Sequence, residues 1–211
     1  MMLLSARAEV KNEWEKVRET SDGIVVYMRK TSGTTVKEIK VKLVIDAPPR
    51  QVLDAACDPR SFKKSVKYVE QNNYYWIGNP DVWFTYQIVK FPLITRRDYS
   101  MRYERAIDAK KGVYQLSWAT SMKKGPGPQE DIIRVKLATG KVDVVSIDDG
   151  KKSLLKYRLL ADPGGNIPGW VMNIANRINI PDIIREIRDS ALLRAKDCAK
   201  GNCQLWNAID H

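Results

Sequence analysis

The chain has 211 residues and a mass of 24.1 kDa, a length that suits one domain or a domain with a short appendage. At 44% hydrophobic residues it can bury a sizeable core, which argues against wholesale disorder. Lys and Arg number 36 against 25 Asp and Glu, a net +11 that favours anionic partners such as membrane surfaces or nucleic acid without choosing between them. Three cysteines are too few for a disulfide-built scaffold or a cysteine-only zinc site, and the one histidine, His211, is the last residue. No stretch approaches the ~20 apolar residues of a membrane span. The apolar part of residues 1–8 is too short for an intact signal peptide, which leaves two readings open: a cytoplasmic protein, or a periplasmic or secreted one whose signal has been removed.

In chain order, Ser5 to Glu19 reads as a helix, with charges mixed around Val10, Trp14 and Val17. After the Asp22-Gly23 turn, Ile24 to Arg29 and Thr35 to Ile45 are rich in β-branched residues and are separated by Ser32-Gly33, the pattern of a hairpin. Pro48-Pro49 leads into a short helix over Gln51 to Cys57. From Val66 to Leu160, runs at 66–71, 74–78, 82–90, 98–106, 113–119, 132–137, 141–147 and 153–160 read as strands. Asn79-Pro80, Lys111-Gly112, Gly125 to Pro128, Thr139-Gly140 and Asp149-Gly150 punctuate them, which suits an antiparallel sheet. From Pro168 the period becomes helical, through Trp170, Val171, Ile174 and Ile178 and on to Ile180, Ile183, Ile184, Ile187, Ala191 and Leu192. Pro181 inside that stripe predicts a kink, because it lacks the N–H and crowds the carbonyl of Arg177. Cys198 and Cys203 in the polar tail are close enough to bridge if it turns, and two free thiols are the favoured expectation.

Strands flanked by helices give an α+β domain with a curved antiparallel sheet wrapped around a long C-terminal helix. Tyr99, Met101 and Tyr103, then Tyr114, Leu116 and Trp118, then Leu155, Tyr157 and Leu159 form alternating apolar faces. Any one of these faces suits a core. Several polar-tipped aromatics pointing inward suit a pocket with polar content better, since a buried phenol needs a partner.

The run from Asp162 to Asn173 resembles the signature entering the C-terminal helix of START domains, the steroidogenic acute regulatory protein-related lipid-transfer family. Phe91 to Tyr99 resembles that family's proline-containing loop and Arg-Asp-aromatic strand start, Asp22 to Arg29 its first strand, and Ile133-Arg134-Val135 another. The likeness runs in consistent order from about Trp14 to about Ala195 and lies nearest the phosphatidylcholine-transfer branch. It implies a single domain over 1–211, with a core near 14–195 and a polar tail over 196–211, in a helix-grip fold with an internal cavity. Gly164-Gly165 and Pro168 make sense there as a tight path into the helix, and Arg97-Asp98 as a structural ion pair or turn lock.

The resemblance implies binding of one lipid and its transfer between membranes, without covalent chemistry. It implies a monomer in transient contact with anionic membranes, with no cofactor, no metal and no nucleic acid. A lid is expected from the kinked C-terminal helix and the 91–96 loop. In phosphatidylcholine-binding members an Arg and a Tyr contact the phosphate; Phe62 and Ala56 stand at those places here, with Arg60 nearby. Tyr86 and Tyr99 match two aromatics of the choline cage and Met101 replaces a third ring, which weakens the cation–π attraction. Gln87 and Tyr103 stand where sterol-binding members carry a buried acid and Arg, an exchange that suits a hydroxyl or ester. The expected cavity residues are therefore Phe62, Tyr86, Gln87, Tyr99, Met101 and Tyr103, with Val171, Ile174 and Ile178 added from the helix stripe. Tyr86 and Gln87 cannot both face inward on a regular strand, so a bulge or another register is implied.

Three other readings compete. A lipid sensor would need the same pocket. An enzyme would need a nucleophile elbow, a metal motif or a phosphate loop, and none is present, so no catalytic residue is named. A nucleic-acid binder would concentrate its basic residues on one element, whereas these are dispersed from Arg60 to Lys152.

Overall fold

Among the described residues, ten strands build one sheet: β1 Glu15–Glu19, β2 Val25–Lys30, β3 Lys37–Ile45, β4 Val69–Trp76, β5 Val82–Val89, β6 Arg96–Asp108, β7 Val113–Thr120, β8 Ile132–Arg134, β9 Leu137–Ile147 and β10 Lys152–Asp162. Helix α1 (Pro49–Cys57) follows β3, and α2 (Ile180–Ala199) follows the last strand. The structure, a computed structural model, describes residues 13–62, 68–165, 167 and 180–203. Nine of the ten strands run in the order β1-β2-β3-β10-β9-β7-β6-β5-β4, antiparallel to their neighbours in an open sheet, and β8 joins at β6. No helix among the described residues is long and apolar enough to cross a membrane.

Period-two alternation fixes what faces inward. On β3, Ile39, Val41, Leu43 and Ile45 are buried while Lys40 and Lys42 between them are not. The buried rows meet Val52, Leu53 and Ala55 of α1, and Ile180, Ile184, Ile187 and Ala191 of α2 close the same core. Pro49 opens α1, where its missing N–H costs nothing. Pro181 lies in the first described turn of α2. The expected kink, with Val171, Ile174 and Ile178, lies outside the described residues.

Four expectations are corrected. Glu15–Glu19, placed in a helix by its spacing, is an edge strand: all five residues are exposed and backbone pairing with β2 holds it. Thr139-Gly140, read as a turn, lies inside β9, because the Trp118 ring occupies the space a side chain at 140 would need. The 132–137 run divides, and β8 pairs with β6 in parallel, so the sheet is not wholly antiparallel; the Val135 N–H donates to the Asp98 carbonyl at 3.0 Å just beyond it. Cys198 and Cys203 are bridged, their Cα atoms 4.2 Å apart, where two free thiols were expected; the turn at 200–202 folds the tail back on α2.

Asp22, in the turn before β2, ties the sheet to α2 by accepting from Arg185 (2.9 Å) and Arg188 (2.9 Å). Hydrogen bonds from Arg185, Thr20 and Arg188 hold its carboxyl far below the ordinary carboxylate range. A folded-state value below the unfolded one stabilises fully above the unfolded value of ~3.9 and loses that stabilisation as the pH falls further. Chemical denaturation between pH 6 and 2 is therefore expected to show a loss of stability beginning near pH 4, and Asp22→Asn to flatten that slope. An unchanged slope would mean that the contact contributes nothing.

Candidate functional site

A cavity of about 250 Å³ lies between the inner face of the sheet and the helices, bordered by Ala56, Cys57 and Phe62 on one side and by Ile183 and Ile187 of α2 on the other. Its sheet wall follows from register. Trp83 faces Tyr103, Thr85 faces Met101 and Gln87 faces Tyr99 across β5 and β6, so these six share the inner face. Trp118 and Tyr157 continue the wall through β7 and β10.

Rings form a continuous band across that wall. Trp76 and Trp83 are 5.6 Å apart, Trp83 stacks on Tyr103 at 5.4 Å, Tyr103 on Trp118 at 6.0 Å, and Trp118 meets Tyr157 at 5.5 Å. Gly140 of β9 lets Trp118 lie across its strand toward Tyr157, and this is why that position has no side chain. Burial pushes the Tyr103 phenol up to about 12 and raises Tyr157 as well, so both are neutral donors at ordinary pH. The Cys57 thiol is likewise pushed up to about 12 by burial and is not a nucleophile.

Polar groups sit at two depths. Near the open end, Gln87 donates to Asn72 at 3.1 Å and Asn72 to the Tyr74 hydroxyl at 2.9 Å. The buried Thr85 hydroxyl makes no close hydrogen bond and has the Tyr103 phenol beside it. No charged side chain among the described residues borders the cavity. Among the described residues, no three His, Cys, Asp or Glu side chains gather as a metal would require.

Of the residues expected here, Phe62, Gln87 and Tyr103 border the cavity. Tyr99 and Met101 share its face but lie beyond its end, packed with Val135 and Ala138. Tyr86 is on the opposite face and is corrected: its hydroxyl donates to Asp98 at 3.0 Å and accepts from Gln129 at 3.0 Å. No bulge interrupts β5 between residues 82 and 89, so with Gln87 inward Tyr86 must point outward. Asp98 takes both Arg134 Nε and Nη2 at 2.7 Å, so the ion pair at this strand start joins β6 to β8, not to neighbouring Arg97. Arg60, the candidate for a phosphate contact, gives its Nε to Asp58 at 2.9 Å. Thr85, Asn72, Tyr74 and Trp83 were missed; alternation outward from Gln87 would have found Thr85 and Trp83.

No family model matches the chain. Human phosphatidylcholine transfer protein is 30% identical over 181 residues, 83% of this chain and 82% of its own length, and the rat protein is 28% identical over the same span. The chain belongs to the START family. Human STARD10 superposes with a TM-score of 0.70 at 18% identity, covering 92% of this chain and 80% of its own. A STAR-related lipid transfer protein fragment from Xanthomonas axonopodis gives 0.69 at 19% identity, covering 85% and 98%. The open sheet gripping a C-terminal helix is the START helix-grip fold, and its sequence relatives place the chain near the phosphatidylcholine transfer branch.

Proposed function

We propose that this START domain binds one weakly polar lipid in the inner-face cavity and carries it between membranes without catalysis. One observation carries the choice of ligand: among the described residues the cavity wall offers neutral hydrogen-bonding groups, the buried Thr85 hydroxyl included, and no cation for a phosphate. A lipid hydroxyl or ester would satisfy Thr85 and Tyr103, whereas a phosphate would be buried unpaired. Relatives named for phosphatidylcholine transfer favour a phospholipid as the second reading.

Removing apolar lipid surface from water supplies the affinity, at about 25 cal/mol per Å². A cavity of about 250 Å³ falls below the ~300–1,000 Å³ of drug-sized sites, so lipid entry requires widening at the lid. Leu93, 94% exposed with φ of 64° at the tip of the 91–96 loop, is placed to enter a bilayer, and the net +11 would hold the protein at anionic headgroups. The Cys198–Cys203 bridge supports an oxidising compartment.

Native mass spectrometry of the purified protein followed by lipid extraction tests this reading. A stoichiometric sterol or other weakly polar lipid is expected. A phospholipid adduct would overturn the ligand class, and no adduct with no uptake from liposomes would overturn lipid binding. Combined Thr85→Val and Gln87→Leu should lower uptake of a hydroxylated lipid about tenfold, the size of one to two lost hydrogen bonds. Tyr86→Phe, on the other face, should leave uptake unchanged.

A further inference from the structure

The outer face of the same sheet carries a block of cations away from the lipid cavity. Lys40 and Lys42 of β3 point away from the core, and so do Lys156 and Arg158 of β10. Register sets Lys42 directly opposite Lys156 and Lys40 directly opposite Arg158. Like charges facing across strands weaken a sheet. Elsewhere on this face the charges are paired: Arg29 with Glu38, Lys141 with Asp143 at 2.8 Å, and Arg102 with Glu104 at 2.6 Å. No ion pair joins any of the four block residues to an acid among the described residues. Asp143 faces Lys156 across β9 but is held by Lys141. Lys40 instead lies over the Trp14 and Tyr27 rings, at 4.2 and 4.7 Å.

Beside the block runs a shallow trough of about 580 Å³, from Glu38 and Arg158 past Lys141, Thr139 and Ser117 to Arg102. We propose that this outer face is a docking site for an acidic, extended polypeptide segment of a partner protein, its carboxylates seated on Lys40, Lys42, Lys156 and Arg158 and its chain lying along the trough. From β3 through β10, β9 and β7 to β6 there are four interstrand steps of about 4.8 Å, so roughly 19 Å, the length of about six extended residues. Ser117 supplies a hydroxyl for its backbone, Thr139, whose hydroxyl donates to the Trp118 carbonyl at 3.2 Å, can accept from one of its N–H groups, and exposed Val44 and Val145 flank the cations on the next outer row.

Two features favour a polypeptide over a bilayer. The four cations are half-buried, and Lys40 lies against the Trp14 and Tyr27 rings, so a segment that settles onto the surface reaches them more readily than a flat membrane does. The cavity lies on the opposite face, so the sheet itself would separate it from a membrane held here.

The test is fluorescence anisotropy of the full chain with a fluorescein-labelled octapeptide of alternating glutamate and serine at low salt. Lys40→Glu with Arg158→Glu should weaken binding at least tenfold, and Lys42→Ser with Lys156→Ser, which only neutralises, about fivefold. Lys110→Glu with Lys200→Glu, an equal change of charge on other surfaces, should stay within twofold. No binding by the unaltered protein, or equal losses in the block and control variants, would overturn the site. Retained peptide binding with lost binding to phosphatidylserine–phosphatidylcholine vesicles would assign the face to membranes and overturn the polypeptide reading.

Discussion

Asp58→Ala is expected to lower the stability of the fold by about 3–5 kcal/mol, because it removes the carboxylate that neutralises a buried guanidinium. Asp58 closes the C-terminus of α1 and is 1% exposed, and it accepts from Arg194 of α2, itself 3% exposed. The same carboxylate orders the turn after α1 by accepting from the Arg60 backbone N–H at 2.8 Å. A second contact between these elements, Ser61 to Ser190 at 3.1 Å, depends on that turn. Desolvation already depresses the Arg194 pKa, opposed first by the Asp58 charge and then by that of Asp54. Asp54 is a poor substitute, since Arg50 holds it at 2.7 Å. Urea denaturation should show a lower midpoint with an unchanged m-value, and melting should fall by about 2–4 °C for each kcal/mol lost. The double change Asp58→Leu with Arg194→Met, which removes both charges, should recover most of the loss. A cost below ~1 kcal/mol for Asp58→Ala would show the pair to be solvated, as exposed ion pairs are.

How far the sequence exposed this architecture depended on whether the deciding contact was local. The turn at Asp149-Gly150 was legible because positive φ is needed at Asp148, Asp149 and Gly150, and these residue types tolerate it. Helix α1 was legible from its prolines, and β3 from strict alternation. The edge strand β1 was not: Glu-Lys-Val-Arg-Glu buries no face, so it carries no period to read, and only its partner β2 makes it a strand. The family resemblance led correctly to the sheet and the C-terminal helix. It could not settle the parity of β5, because Tyr86 and Gln87 are both plausible inward residues by type. What fixes parity is Asp98 and Gln129, 12 and 43 residues away, which offer the Tyr86 hydroxyl its partners on the far face. Thr85 escaped for the same reason, being visible as a cavity group only once its neighbour was turned outward.

Gly140→Ala should disturb both stability and lipid uptake, through one ring. A Cβ at this position would lie 2.1 Å from Trp118 Cζ2 and 2.7 Å from the Arg158 carbonyl oxygen, so either the indole or strand β10 has to move. Neither is free to do so cheaply. Trp118 is held between Tyr103 at 6.0 Å and Tyr157 at 5.5 Å, and β10 is hydrogen-bonded along both edges, to β3 and β9. Overpacking of this kind costs about 1–3 kcal/mol, seen as a lower urea midpoint. The indole borders the cavity, so its displacement should lower uptake from liposomes as well. Adding Trp118→Leu separates the two causes. If the ring carries the conflict, the double variant regains stability over Gly140→Ala and reopens the cavity. If stability stays low, the carbonyl of Arg158 is the obstacle and the displacement belongs to the strand. Stability within about 0.5 kcal/mol of the unaltered protein, with unchanged uptake, would sink the argument that the missing side chain at 140 shapes the cavity wall, since changes without such a conflict usually stay inside that range.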